Sequence, residues 1–226
     1  LNAIKGLQDK NQIVKMMAQL NQVGIWPFFA MYVSADDMNS TMNIVHTYQA
    51  GIGMSDRDYY LKDDARSKEL RAKYQKFVAK MFVLSGYPEK TAKTAAAEIM
   101  KIETALAKAQ FSRVELRDPY KNYHKMNVSD LQQLVPNFDW KTYLEELGMP
   151  INEINVAQDV FMKEMANVFE KSSVFALKYY LAWNVISDAS SSLSDDFADL
   201  SFEFYGKTLS GRQEQSPRWK RAVSLL

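Results

Sequence analysis

The stretch FFAMYVSADDMNSTMNIVHTYQ, residues 28–49, is where the pattern of the chain changes from helical to extended. Aromatic and β-branched residues flank the segment ADDMNS, whose Asp and Asn side chains are typical of turns because they accept hydrogen bonds from the nearby backbone. This arrangement predicts a β-hairpin with strands near residues 29–34 and 41–48. We interpret Asp36 and Asp37 as turn residues rather than as a catalytic acid pair, since adjacent side chains in a turn point apart.

Directly after the predicted hairpin, residues 51–60 read GIGMSDRDYY. Gly51, Gly53 and the Ser55-Asp56 pair predict a loop, and the three charged residues Asp56, Arg57 and Asp58 stand directly before Tyr59 and Tyr60. A loop exposed to solvent rarely carries two large aromatic rings beside three charges. The segment is therefore a candidate for packing or for binding.

Most of the remaining chain has the period of amphipathic helices. In residues 63–86 the apolar positions follow the i, i+4, i+7 spacing, and Gly86 ends the pattern. Further long helices are predicted over residues 11–24, which end at Gly24, over residues 88–110, which begin at Pro88, and over residues 160–170, 174–193 and 195–209. Two short helices are predicted, one from a Ser129/Gln132 capping box to Pro136 and one from Asp139 to Gly148. A last helix is predicted to begin at Ser216 and Pro217. A short extended piece is expected near residues 151–158. The predicted fold class is mainly α, a multi-helix lobe with one small β-hairpin.

The composition restricts the classes of function. The 226 residues include 28 basic and 27 acidic residues, so the net charge of +1 gives no electrostatic reason to expect nucleic acid or an anionic membrane as partner. The absence of Cys excludes disulfides and Cys-ligated zinc. No apolar run approaches the roughly 18 residues of a membrane span. Because the chain begins with Leu1 and its last predicted helix has no end signal, we expect a piece truncated at both ends.

The two histidines, His46 and His124, do not form a known catalytic motif. A His-Glu-x-x-His zinc motif, a Gly-x-Ser-x-Gly elbow, a Walker loop and a dinucleotide fingerprint are all absent from the sequence. We interpret His46, in a predicted strand, as a structural imidazole rather than a metal ligand, and His124 as a surface or cleft-edge residue. Nucleophilic catalysis by a Ser with either His as base stays open at this point.

Four segments carry motifs in a recognisable order. Residues 33–61 contain Asp-Asp-x-Asn-Ser, a strand ending in Gln, and GIGMSDRDYY; residues 118–148 contain Tyr-x-x-Met and Phe-x-Trp; residues 177–194 contain Leu-x-x-Tyr-Leu-x-Trp; residues 204–223 contain Phe-Tyr-x-x-x-Leu-x-Gly and Pro-Arg-Trp-Lys-Arg. Together they resemble the neprilysin family of zinc metallopeptidases. The motif positions that we single out are Gly51, Gly53, Asp58, Tyr59, Tyr60, Trp183, Arg218 and Trp219.

Two departures from the family pattern point to a bacterial member, similar to the oligopeptidase O group. Ser55 and Asp56 replace the usual Pro-x before Arg57. Ala222 stands where the vertebrate enzymes have Cys, so the disulfide at that position is missing.

The resemblance implies that the parent protein is a two-lobed zinc metalloendopeptidase acting on oligopeptides. Residues 1–226 would be its mainly helical, non-catalytic N-terminal lid lobe, which closes over the central cavity and limits substrate size. Its partners would be its own C-terminal catalytic domain and oligopeptide substrates. The zinc ligands would lie beyond Leu226, so no catalytic or metal-binding residue is assigned here, and we expect the fragment to hold no cofactor and to be inactive alone. The resemblance favours export to the periplasm, cell envelope or medium and leaves a cytoplasmic location open.

Within this family, GIGMSDRDYY is expected to form a structural corner. The glycines permit a sharp exit from the hairpin, Arg57 pairs with a carboxylate, and Tyr59 and Tyr60 pack inward with bonded hydroxyls. For Arg57 the alternative is a direct contact with substrate in the cavity. For the whole chain the alternative is a helical peptide-binding or interaction module without catalytic activity.

Overall fold

The computed structural model describes residues 1–223, most of which lie in helices. The helices within this part of the chain are α1 Asn2–Gly6, α2 Lys10–Gln22, α3 Asp58–Leu61, α4 Ala65–Leu84, α5 Glu89–Ala109, α6 Val128–Leu134, α7 Trp140–Leu147, α8 Asp159–Lys171, α9 Val174–Ala189, α10 Asp195–Ser201 and α11 Arg218–Val223. A 3-10 turn covers Glu115–Arg117, and a π-helical stretch, Phe202–Leu209, continues α10. The mainly α class predicted from the sequence is confirmed.

Several helix ends follow from local sequence, as predicted. Asp139 accepts a hydrogen bond from the amide of Thr142 at 2.9 Å and begins α7, and Gly148 ends it with a φ of +68°. Gly24 and Gly86 adopt positive φ angles just after α2 and α4. These positions need glycine because a side chain is strained in the left-handed region.

The strands form one small sheet beside the helices. The strands are β1 Phe29–Asp36, β2 Asn39–Gln49, β3 Lys125–Asn127 and β4 Glu153–Val156, in the order β1-β2-β4-β3. β1 and β2 pair antiparallel, β2 and β4 parallel, and β3 and β4 antiparallel. The predicted hairpin is thus confirmed, and β4 corresponds to the predicted extended piece. β3 was not predicted, since its three residues are too short to show a period.

The core is continuous from the sheet through the helices. α5 packs against α4, α8 and α9. Aromatic rings fill the space between α4, α9 and the π-helical stretch: Phe77 stacks on Phe204 at 4.9 Å between ring centroids and meets Trp183 edge-on at 5.5 Å. This packing fixes the positions of α4, α5 and α9 around the segment that follows β2.

Three expectations about helix ends and winding need correction. The Ser129/Gln132 capping box is wrong, because α6 follows Asn127 and the Gln132 side chain instead accepts from the amide of Trp140 at 3.1 Å. α9 ends at Ala189 rather than at residue 193. Directly after this end, the Ser190 hydroxyl donates to a backbone carbonyl of the last turn at 2.8 Å. The helix predicted over 195–209 is present, but its second half is π-helical.

The start of the last helix is shifted by one residue. α11 begins at Arg218, and the backbone carbonyl of Pro217 accepts its first bond. The expected truncation after this helix falls at residues 224–226, outside the described residues. Within residues 1–223, no helix has both the length and the apolar character needed to cross a bilayer.

Candidate functional site

The segment after β2 turns sharply at Gly51, and there it lies against the backbone of Phe28. The Tyr180 hydroxyl donates to the carbonyl of Gly51 at 2.7 Å and accepts from the amide of Phe28 at 3.2 Å. Gly51 has a φ of +84°, and Phe28 is a buried aromatic residue with a φ of +67°. A Cβ at Gly51 would lie 2.5 Å from the Tyr180 hydroxyl and 2.8 Å from the Phe28 Cα. Only glycine fits here, because both the φ angle and the space exclude a side chain.

A buried carboxylate lies behind this turn. Glu103, on α5, is 1% exposed, and its two oxygens accept hydrogen bonds from the hydroxyls of Tyr60 at 2.6 Å and Tyr74 at 2.9 Å. The Trp183 indole N–H donates to the Tyr74 hydroxyl at 2.9 Å, and the Met54 amide donates to the Tyr60 hydroxyl at 2.9 Å. We call these side chains, Glu103, Tyr60, Tyr74 and Trp183, the Glu103 cluster. The cluster ties α3, α4, α5 and α9 to the backbone of the turn.

Gly53 lies against the same cluster. A Cβ at this position would lie 1.8 Å from the Tyr74 hydroxyl and 3.2 Å from a Glu103 carboxylate oxygen. The backbone therefore approaches the buried polar groups more closely than any side chain allows. We call residues 51–54 the glycine corner.

Burial determines the electrostatics of the cluster. Burial raises the pKa of Glu103 to about 7, although the hydrogen bonds from Tyr60 and Tyr74 oppose this change. Burial, and next the negative charge of Glu103, raise the pKa of both tyrosines well above their usual value. The tyrosines therefore stay neutral donors, and Glu103 changes its protonation near neutral pH.

A polar pocket of about 270 Å³ lies beside the glycine corner. Its lining includes Trp26, Asn184 and the exposed Asp188, together with the edges of the glycine corner and of the Glu103 cluster. Both Glu103 oxygens are engaged by tyrosine hydroxyls. The arrangement is thus suited to holding the backbone rather than to activating a nucleophile.

Arg57 ties the corner to the end of α5. Its guanidinium donates to the backbone carbonyl of Gln110, whose side-chain amide donates to the carbonyl of Ala50 at 3.0 Å. The partner of Arg57 is therefore a main-chain carbonyl rather than the carboxylate expected from the sequence. Asp56 of this segment instead forms an ion pair with Arg113, at 2.7 Å.

The other motif positions have different surroundings. Asp58 begins α3 and pairs with Lys62 at 2.8 Å. Tyr59 is half-buried, and its carbonyl accepts from Arg71 at 2.7 Å. Arg218 lies 3.3 Å from Asp195 on α10, and Trp219 is 65% exposed. The structure thus brings together Gly51, Gly53, Tyr60 and Trp183, whereas Arg218 and Trp219 make their contacts elsewhere.

Sequence reasoning missed Glu103, the residue at the centre of the cluster. Glu103 falls on the buried face of α5, next to Ile102 and between Ile99 and Leu106. A single charged residue on an apolar stripe is a sequence signal for a buried polar site, because such a charge needs hydrogen-bond partners. That signal was present in the sequence.

The two histidines meet the same asparagine at the sheet. His46 is buried, and its Nδ1 lies 3.0 Å from the donating side-chain amide of Asn155. The backbone amide of His124 donates to the Asn155 Oδ1 at 2.7 Å, and the His124 Nδ1 lies 3.0 Å from the carbonyl of Val156. Both imidazoles have backbone or amide partners of a structural kind.

The described residues do not fit a zinc site. Among residues 1–223, no three side chains of His, Asp or Glu converge so as to hold a metal ion. A catalytic zinc needs about three protein ligands and an open position.

Comparisons with known proteins give one consistent result. The model of the family described as peptidase family M13 matches residues 1–226. Endothelin-converting enzyme 1 of Cavia porcellus is 31% identical over 204 residues, which are 88% of this chain and 27% of that protein. The chain thus spans about a quarter of the length of the curated relatives it matches.

Two solved structures of a zinc metalloprotease are similar to this chain. The zinc metalloprotease Zmp1 of Mycobacterium tuberculosis, in complex with an inhibitor, is 30% identical with a TM-score of 0.93, over 99% of this chain and 34% of that one. The same protein in an open state also has a TM-score of 0.93 at 30% identity, over 99% of this chain and 35% of that one.

Proposed function

Because the chain belongs to peptidase family M13, the neprilysin family predicted from its sequence, we propose that it is the non-catalytic lobe of a zinc metalloendopeptidase that hydrolyses oligopeptides. In this proposal the lobe closes over the active-site cavity and limits the size of substrates. The parent protein catalyses the hydrolysis, and this chain encloses the active-site cavity.

The observation that carries the proposal is the match to a zinc metalloprotease over 99% of this chain but only 34% of that protein. The fold is thus that of one part of such an enzyme. A second observation supports a non-catalytic role for this chain, since the described residues do not offer a set of zinc ligands. We propose that residues outside these 226 hold the metal, which when bound would supply a Lewis acid and an activated water.

The contribution of this chain would be a wall of fixed shape. The glycine corner is bonded to Tyr180 and to the Glu103 cluster, so the backbone between β2 and α3 is held from α4, α5 and α9 at once. A wall of this kind can exclude bulk water from a cavity and can admit flexible peptides while excluding folded proteins. Arg57 is bonded to the backbone, which supports a structural role over a substrate contact.

The partners follow from the same proposal. The first is the catalytic domain of the parent protein, and the second is the oligopeptide substrate. We propose an exported location, in the periplasm, cell envelope or medium, on the basis of the family, with the cytoplasm as the alternative.

Size selection is the property that tests the proposal. The full-length parent protein is assayed with quenched-fluorescence peptides of increasing length that share one cleavage sequence, and with the same sequence in an exposed loop of a folded protein. We expect kcat/KM to fall steeply with length and the folded carrier to resist cleavage.

Two results would contradict the proposal. Equal kcat/KM for the short peptide and for the folded carrier would remove the enclosing role of the lobe. Binding of peptides by the full-length protein without hydrolysis would favour the interaction module instead.

A further inference from the structure

The edge of β1 that faces away from β2 has no strand partner within residues 1–223. The strand order β1-β2-β4-β3 puts β1 at one side of the sheet, and in the described part of the chain β2 is its only strand partner. The pairing runs from Phe29 with Gln49 to Ala35 with Asn43. Every second residue of β1 therefore turns its backbone N–H and C=O away from β2, towards the open side.

The sequence of this edge lacks the usual protection. Residues 30–35 read AMYVSA, without a charge, a proline or a glycine. Natural proteins protect exposed edges with Lys, Pro or bulges that disturb the edge strand. The bulge of this hairpin lies in β2 at residues 40–42, because Ala35 pairs with Asn43 and Asp36 with Asn39. β1 pairs regularly from Phe29 to Ala35, so this part of its outer edge can accept another strand.

The edge is also reachable from both faces of the sheet. Tyr32 is 47% exposed and Val33 is 61% exposed, and their side chains point to opposite faces. Ser34 and Ala35 are exposed as well. An added strand would therefore find apolar neighbours on either face over residues 32–35.

The hairpin tip adds a charge. Asp36 is buried and accepts from the Tyr123 hydroxyl at 2.7 Å and from Lys125 at 3.1 Å, so its charge is compensated. Asp37 is exposed and has no ion-pair partner within the described residues. Its carboxylate is complementary to a basic residue placed beside the tip.

We propose that the outer edge of β1 binds an extended peptide by strand addition, that the residues paired with β1 are uncharged, and that Asp37 favours a Lys or Arg at the end of the peptide beside the tip. Main-chain hydrogen bonds supply the affinity in this mode, and side chains on alternating positions supply the specificity. The inference rests on the proposed function, since a lobe that encloses oligopeptides meets extended peptide segments. It names residues 32–35 as a substrate-holding edge.

The test uses the 226-residue chain and fluorescein-labelled peptides of the sequence Lys-Val-Thr-Val-Thr-Val. One peptide is unmodified, a second has alternate amides N-methylated, and a third has every amide N-methylated. A peptide strand has two edges, so the second can still pair and the third cannot. We expect binding of the first two in fluorescence anisotropy, loss of binding for the third, and slower deuterium exchange of residues 32–35 when the first peptide is bound.

Protein variants test the location. Val33→Lys puts a charge on the edge, and Val114→Lys is the matched control, since Val114 is 77% exposed and lies outside the sheet. We expect Val33→Lys to weaken binding of a peptide with norleucine in place of Lys by about tenfold, and Val114→Lys to leave it unchanged. Asp37→Asn should abolish the preference for the Lys peptide over the norleucine peptide.

Three results would overturn the inference. They are binding of the fully methylated peptide, equal effects of Val33→Lys and Val114→Lys, and, in the absence of peptide, slow exchange of those amides of residues 32–35 that face away from β2. The last, together with a dimer in sedimentation, would assign the edge to a second copy. These measurements need only binding by this chain, so their failure is distinguishable from a failure of the parent protein to cleave peptides.

Discussion

Replacing Glu103 by Gln removes the titrating group at the centre of the Glu103 cluster while keeping its size. The pKa of Glu103 is about 7 in the folded protein, against 4.5 for an ordinary Glu, because burial disfavours the carboxylate. A folded pKa above the unfolded one means that the folded state binds the proton more tightly. The contribution of Glu103 to the free energy of unfolding is therefore fully present below about pH 4.5 and is lost as the pH rises to about 7.

The size of the fall follows from the two pKa values. A change of one in pKa is worth about 1.4 kcal/mol, so ionising Glu103 in the fold costs about 3 kcal/mol. In Glu103→Gln this cost is absent at every pH. The hydrogen bonds from Tyr60 and Tyr74 are less favourable in the variant, because both hydroxyls donate to the carboxylate in the wild type. That loss does not depend on pH.

The assay is urea unfolding of the wild type and the variant from about pH 4 to about pH 8. We expect the stability of Glu103→Gln relative to wild type to rise by about 3 kcal/mol across this range. Glu98→Gln is the matched control on the same helix, since Glu98 is partly exposed and paired with Lys101 at 2.6 Å. The difference between each variant and the wild type cancels the other titrating groups. A difference for Glu103→Gln that stays constant with pH would refute the reasoning.

Two further changes test the ties of the glycine corner. Gly53→Ala should lower the free energy of unfolding by about 2–4 kcal/mol, because the new methyl group overlaps the Tyr74 hydroxyl. Gly6→Ala is the control, since its Cβ would lie in open space, and it should leave the free energy of unfolding unchanged. Thermal or urea unfolding measures both variants. Arg57→Ala should lower it by about 1–3 kcal/mol through the lost bond to Gln110, with little change in KM of the parent enzyme; a large rise in KM with an unchanged Tm would place Arg57 in the substrate cavity instead.

Much of the fold could be predicted because it depends on local signals. The hairpin followed from aromatic and β-branched residues around a turn, and α7 followed from Asp139 and Gly148 at its ends. β3 could not be predicted, because three polar or flexible residues become a strand only by pairing with β4. The π-helical winding after α10 could not be predicted either, since Phe204 in this stretch packs against Tyr74 and Phe77 on α4, which are far away in the sequence.

The candidate site divides in the same way. The sequence identified Gly51, Gly53 and Tyr60 as a corner, because glycines and aromatic residues in one loop are unusual. It did not connect Tyr180, a residue of the Leu-x-x-Tyr-Leu-x-Trp motif, with this corner, and it did not identify Glu103. The hydrogen bonds of both residues join parts of the chain that are far apart in sequence. Such long-range polar contacts leave only a weak trace in one sequence, in this case a charge on an apolar helix face.

The central proposal is that other residues of the parent protein, and not this chain, bind the zinc and carry the reaction. Zinc titration by calorimetry, together with a peptide-cleavage assay, on the 226-residue chain and on the full-length parent tests it most directly. We expect the parent to bind one zinc tightly and to cleave the peptide in a chelator-sensitive manner, and the 226-residue chain to do neither. Tight one-to-one zinc binding with chelator-sensitive hydrolysis by the 226-residue chain alone would contradict the account.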